Sequence, residues 1–203
     1  MNTTYEMDEE RWRKIRYYHL MKLEEAKRNK QVDKDIIPLL DTINKVDDFV
    51  TRSSCYGRIL LLNEEGIPKK GRDIILGKYH RPISLKELED SIKKVDHGIL
   101  WMNVESTIVH VGSRSLSRAI ELYKIALDSG YKSSSIISSS KRGVTVEILE
   151  REKVSIPIYI HNNIFLYSSN FLNNLLKYIE SLFYSINIKM NNFIRNYSVY
   201  FKL

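Results

Sequence analysis

The densest group of polar side chains is Thr51-Arg52-Ser53-Ser54-Cys55-Tyr56-Gly57-Arg58. Hydroxyls donate, glycine lets a backbone approach, and arginine forks onto planar oxygens, so this stretch suits an anion or a carboxylate. It reads equally well as a hairpin whose serines simply alternate outward. Arg58 and Arg142 are candidates for a carboxylate or a phosphate. His80 and His110 can take a proton near neutral pH, or serve as structural hydrogen-bonders. Trp101 could stack on a purine or fill a core, and Glu105 in the same apolar run could face a cation. Cys55, the only cysteine, reads better as a small packed side chain than as a nucleophile. It excludes an intramolecular disulfide and fits a reducing cytoplasm. His19, His97 and His161 lie scattered, and no Cys/His spacing suggests a metal site.

These residues need a scaffold, and the hydrophobic spacing supplies one. A charged amphipathic helix is predicted over Arg11 to Lys30, and a second from Ile36 to Val46 with Asp35 as its cap. Strands follow at Phe49 to Cys55, Arg58 to Leu62 and Ile74 to Tyr79, with a loop over Asn63 to Gly71. Ser84-Leu85-Lys86-Glu87 is a capping box, opening a helix to about Lys94 that His97-Gly98 ends. Strands are expected at Ile99 to Val104 and Thr107 to Val111, then a helix from Ser115 stopped by Gly130. Ser133 to Ser138, Val144 to Leu149 and Ile156 to Ile160 read as strands. Leu172, Leu175, Leu176, Ile179, Phe183, Ile186, Met190, Ile194 and Tyr197 mark a long final helix. The class is α+β, a single domain over residues 1–203. A helix–three-strand–helix order recurs over 34–95 and 114–180, which suggests an internal duplication. Neither half alternates strand with helix as a doubly wound sheet does.

With 43% hydrophobic and 28% charged residues the chain can bury a core and is not disordered by composition. It has no apolar run long enough for a membrane span, and Glu9, Glu10, Arg13 and Lys14 stand where a signal peptide would be apolar. The net charge of +7 is concentrated locally. From Thr51 to Arg81 the cations Arg52, Arg58, Lys69, Lys70, Arg72, Lys78 and Arg81 face only Glu64, Glu65 and Asp73. Clustered cations neutralise phosphates, so an RNA partner is permitted, as is a plain solvated loop.

The octapeptide, preceded by Asn44 and Asp48, resembles the signature of the wybutosine-synthesising methyltransferase family. Leu76-Gly77-Lys78-Tyr79-His80-Arg81-Pro82 is similar to its Leu-Gly-x-Trp-His segment, with Tyr79 in place of tryptophan. Leu100-Trp101 followed by Glu105, Ile108 and His110 resembles its Leu-Trp…Glu-x-x-Ile-x-His stretch. Gly130-Tyr131-Lys132-Ser133-Ser134-Ser135-Ile136, then Arg142 and Glu147, resembles Gly-Phe-Lys-x-Ser-Gly-Ile…Arg…Glu, with Ser135 replacing glycine. The likeness runs from Trp12 to Pro157 and more loosely through the last helix.

That resemblance implies methyl transfer from S-adenosylmethionine to N4 of a wyosine-type tricyclic base, beside the anticodon of tRNA(Phe). The tRNA would already carry the aminocarboxypropyl intermediate. It implies catalytic roles for His80, His110, Ser53 and Ser54, and cofactor contacts from Cys55, Gly57, Arg58, Trp101, Glu105, Ser134 and Arg142. RNA contacts are expected from Arg52, Lys69, Lys70, Arg72, Lys78 and Arg81. No Gly-x-Gly-x-x-Gly follows a strand, so the cofactor would sit on a scaffold other than the Rossmann type. A non-catalytic tRNA-binding subunit is the alternative. A small-molecule transferase would leave the basic excess unexplained.

Overall fold

The computed structural model describes residues 6–64, 74–140, 143–161 and 164–203. Its first elements are α1 (Glu9–Arg28), a 3-10 turn (Lys34–Ile36), α2 (Ile37–Asn44), β1 (Phe49–Cys55), β2 (Arg58–Glu64), β3 (Ile74–Tyr79) and α3 (Leu85–Ile92). Then come β4 (Ile99–Glu105), β5 (Ile108–Ser113), α4 (Leu116–Asp128), β6 (Ser135–Ser140) and β7 (Gly143–Leu149). The last are β8 (Val154–Ile160), β9 (Ile164–Phe165) and α5 (Ser169–Phe201). The class is α+β, with two wholly antiparallel sheets and no doubly wound arrangement. The chain divides into two compact units, the first made of Met1–Tyr56, Thr107–Arg151 and Asn187–Leu203 and the second of Gly57–Ser106 and Glu152–Ile186.

The first unit holds the sheet β1-β5-β7-β6. Its buried side alternates along the strands as Val109 and Val111, then Val144, Val146 and Ile148. α4 packs on β5, β6 and β7, while α1 and α2 pack on β1. Asp8 caps α1 by accepting from the Arg11 N–H at 3.0 Å, with Glu9 and Glu10 in the first turn and Lys27 and Arg28 in the last, all favourable to the helix dipole. Trp12 anchors this helix beside Met7 and Val50, its indole N–H donating to the Asp47 carbonyl at 2.6 Å. From α5, Met190, Phe193 and Tyr197 are buried, and the Tyr197 hydroxyl donates to the Ile43 carbonyl at 2.9 Å.

The second unit holds the sheet β3-β2-β4-β8-β9. Ile59, Leu61, Leu100, Met102 and Val104 are buried, whereas Arg58, Leu62, Trp101, Asn103 and Glu105 alternate to a half-buried face. The Ser84–Glu87 capping box is present at α3. Arg81 completes it, with Nη2 2.6 Å from Glu87 Oε1, and together with Ser84 it holds the Glu87 carboxyl at about 2. A depressed carboxylate stabilises the fold above its unfolded pKa and loses that contribution as pH falls toward the folded value. Urea stability should therefore decline between pH 4.5 and about 2, and Glu87→Gln should flatten that decline. An identical pH dependence in the variant would refute this.

Three sequence-based expectations need correction. Asp35 does not cap α2: the helix begins at Ile37, Asp35 lies inside the 3-10 turn, and Asp33 precedes that turn. α3 stops at Ile92, several residues before Gly98 takes its positive φ of 78°. Most consequential, β1 and β2 are not a hairpin. β1 pairs with β5 in one sheet, while β2 pairs with β3 and β4 in the other. The connecting peptide has other partners, since the Tyr56 N–H donates to Asp33 at 3.1 Å and the Thr107 hydroxyl donates to the Tyr56 carbonyl at 2.6 Å. Gly57 follows at φ 126°, and a Cβ there would stand 3.0 Å from the Glu105 carbonyl oxygen.

Candidate active site

On the first unit's sheet, β1, β5 and β7 bring Ser53, His110 and Glu147 into one cross-strand row. Ser53 Oγ lies 2.8 Å from His110 Nδ1, and His110 Nε2 lies 2.9 Å from Glu147 Oε2. Ser53 is exposed, while the His110 and Glu147 side chains retain 30% and 20% of their accessibility. The row thus runs from a sheltered acid to a hydroxyl that a ligand can reach.

A β-bulge shapes the neighbouring position. Thr51 faces Val111 and Ser53 faces His110, leaving Arg52 as the extra residue. Its guanidinium lies across Gly112, where a Cβ would be 2.7 Å from Arg52 Nε, and donates to Thr145 Oγ1 at 2.7 Å. Burial pushes its pKa below the ordinary arginine value. Asn44 pins the strand before the bulge: its amide donates to Thr51 Oγ1 at 2.8 Å and its carbonyl accepts the Thr51 N–H at 2.9 Å. Beside the row opens a cleft of about 340 Å³ lined by Thr51, Arg52, Ser53 and Ser54 on the strand side. α1 contributes His19, Lys22, Leu23 and Ala26, with Gln31, Val32 and Leu40 closing it. Burial, then the Arg52 charge, holds His19 below its usual pKa.

Two other expected residues of this unit have local partners. Cys55 is a half-buried thiol, not part of a disulfide, at the end of β1. Ser134 is 7% exposed, and its hydroxyl donates to the Tyr131 carbonyl at 2.8 Å while accepting the Leu149 N–H at 3.2 Å.

The second unit carries Gly57, Arg58, Lys78, His80, Arg81, Trp101 and Glu105. Arg58 Nε meets Glu105 Oε2 at 2.5 Å, a cross-strand pair set by the β2–β4 register. His80 Nδ1 lies 3.0 Å from the Gly57 carbonyl oxygen. Trp101, Leu62, Glu64, Asn103 and Ser155 line a cleft of about 260 Å³, and the Trp101 indole N–H is buried with no acceptor among the described residues. Lys78 is exposed on β3, and Arg81 is held by Glu87 and stacked 5.5 Å from the Tyr79 ring centroid. Lys69, Lys70, Arg72 and Arg142 lie outside the described residues.

Sequence reasoning assigned no role to Glu147, although it stood in a recognised segment. The available signal was a lone acid in a strand built mainly of Val144, Val146, Ile148 and Leu149.

An exposed hydroxyl wired to an imidazole and a carboxylate is equipment for taking a proton from a bound group. The chain belongs to the Methyltransferase TYW3 family, whose model matches residues 11–198. A relative from Pyrococcus horikoshii, named tRNA(Phe) 7-((3-amino-3-carboxypropyl)-4-demethylwyosine(37)-N(4))-methyltransferase 1, is 39% identical over 158 residues, covering 78% of this chain and 80% of its own. A Methanocaldococcus jannaschii protein bearing that name without the final numeral is 38% identical over 166 residues, 80% and 84% of the two chains. A solved structure from Pyrococcus horikoshii superposes with a TM-score of 0.86 at 34% identity, covering 93% of this chain and 96% of the other. An Aeropyrum pernix structure gives 0.71 at 26% identity, covering 82% and 98%. Among the described residues, no helix is long and apolar enough to cross a membrane.

Proposed function

We propose that this protein methylates N4 of the wyosine-type tricyclic base beside the anticodon of tRNA(Phe), with S-adenosylmethionine as donor. Family membership and the relatives' names support the reaction, and the Ser53–His110–Glu147 row is the observation that carries its chemistry here. Together they favour a catalytic protein over a non-catalytic tRNA-binding subunit. The cytoplasm, where tRNA is used, is the proposed compartment.

The cleft beside Ser53 has lining chemistry that fits the donor, and its volume of about 340 Å³ falls in the range of small-molecule sites. Leu23, Ala26, Val32 and Leu40 would give adenine an apolar wall, and Gln31 with Ser54 would offer hydrogen bonds to ribose. Arg52 would supply a counter-charge for the methionyl carboxylate. When bound, the donor supplies a methyl group on a positively charged sulfur. As the N4 lone pair takes that methyl and the sulfur keeps the electrons of the broken bond, the N4 proton must leave. Ser53 Oγ can accept it while passing its own proton to His110 Nδ1, 2.8 Å away. The remaining task is alignment, which a rigid sheet row performs well.

The decisive experiment is transfer of labelled methyl from S-adenosylmethionine to tRNA prepared from cells lacking this modification. Label should appear in tRNA(Phe) alone, and failure to label it would refute the proposal.

Lys69, Lys70 and Arg72 would position the RNA backbone. Replacing Lys69, Lys70 and Arg72 together by alanine should weaken tRNA binding and flatten the slope of log K against log salt by roughly 2. Affinity for S-adenosylmethionine should stay near that of the parent. An unchanged slope would place the RNA surface elsewhere.

A further inference from the structure

Glu147 lies one strand beyond the histidine that faces the reactive serine. It touches neither cleft nor serine, and its carboxylate can only accept hydrogen bonds when ionised. The 2.9 Å contact therefore puts a proton on His110 Nε2, and in the neutral ring Nδ1 is left bare. A bare Nδ1 accepts the Ser53 hydroxyl proton across 2.8 Å, which turns the serine lone pairs toward solvent. The opposite tautomer would make the histidine donate to Ser53 and would leave two acceptors facing each other at Glu147.

We infer that Glu147 is the positioning residue of this site, fixing the tautomer and plane of His110 so that Ser53 and His110 can receive a proton together. The inference rests on the proposed methyl transfer for its consequence but not for its geometry. The register Ser53–His110–Glu147 is dictated by backbone pairing on both sides of β5. A negative charge at Nε2 also stabilises the imidazolium formed once the proton arrives. The wiring differs from hydrolytic serine–histidine–acid triads, where Nε2 faces the serine and Nδ1 the acid. Here the order is reversed, and the serine relays a proton instead of attacking a carbon.

A merely structural cross-strand pair would predict lost stability with unchanged chemistry, which separates the two readings. Glu147→Gln keeps the shape and removes the charge, and Glu147→Leu removes the acceptor. In both, kcat for tRNA methylation should fall about 10- to 100-fold, with KM for tRNA and for S-adenosylmethionine within about twofold of the parent. The ring nitrogens of His110, followed by nitrogen NMR in the full-length parent, should show Nε2 protonated and Nδ1 bare. In Glu147→Leu that pattern should give way to a mixture. Parental kcat in folded Glu147→Leu, or a protonated Nδ1 in the neutral ring of the parent, would overturn the inference. The NMR of the parent decides it even if the variants fail to fold. A parent unable to methylate tRNA would overturn the reaction assignment, and the nitrogen spectrum would still judge the positioning claim by itself.

Discussion

A chain ended after Tyr167 should not fold. The cut removes α5, in which Leu172, Leu175, Leu176, Ile179, Leu182, Phe183 and Ile186 are buried with the second unit and Met190, Phe193 and Tyr197 with the first. Trimming one such side chain to alanine costs about 2–5 kcal/mol, and a whole domain is stable by only about 5–15 kcal/mol. Removing ten of them exceeds any plausible reserve. The aromatic ladder is part of this loss: the Phe193 and Tyr197 rings stack with centroids 5.6 Å apart, and Tyr197 meets Phe201 at 4.6 Å. Thermal melts by circular dichroism test the expectation. A truncated protein with a cooperative transition at the parental temperature would mean that α5 is an appendage.

His110→Ala should leave the fold nearly intact and remove most of the catalysis. His110 sits on the half-exposed face of its sheet, between strands whose backbone pairing is unaffected by the side chain. Its loss therefore costs little packing, while Ser53 loses the partner to which it would hand a proton. General base catalysis is worth about 10²- to 10⁴-fold, so kcat should fall by that amount. Binding of S-adenosylmethionine and tRNA, measured separately by calorimetry, should change less than about threefold. A folded His110→Ala protein with parental turnover would remove histidine from the mechanism altogether.

The sequence carried more of the elements than of their assembly. β1 and β3 begin and end where alternation and turn residues put them, and the capping box at Ser84 fixed the start of α3. These signals are local: a strand or cap is decided by a few neighbouring residues. The destination of β2 was not local. Arg58–Glu64 joins β4, at Ile99–Glu105, and the Tyr56 peptide before it is held by Asp33 and Thr107, none of which a local pattern reveals. The candidate site divides in the same way. Ser53 and His110 were legible as residue types in a resembling framework, but their contact requires a β1–β5 register displaced by a bulge at Arg52. Arg52 was expected as an RNA contact, and the structure places its guanidinium across Gly112, donating to Thr145, at the edge of the cleft. Ser134 was expected as a cofactor contact from its place in the resembling Gly130–Ile136 segment. The turn after Tyr131 uses its one donor and one of its two acceptor lone pairs within the fold.

The interleaving of the two units has a consequence for synthesis. The chain passes from one unit to the other after Tyr56, Ser106, Arg151 and Ile186, so neither core is a continuous piece of sequence. On a ribosome adding about 5–20 residues per second, β1 emerges roughly 7–28 s before Tyr197 does. Throughout that interval Phe49 and Ile43 lack the Tyr197 side chain that α5 brings to them. The first unit cannot be complete until Asn187–Leu203 has been made, so its early segments precede part of their own core. Up to Tyr56 the cations and carboxylates are equal in number, so charge repulsion does not keep such early segments apart; the surplus of +7 arrives only with the later residues.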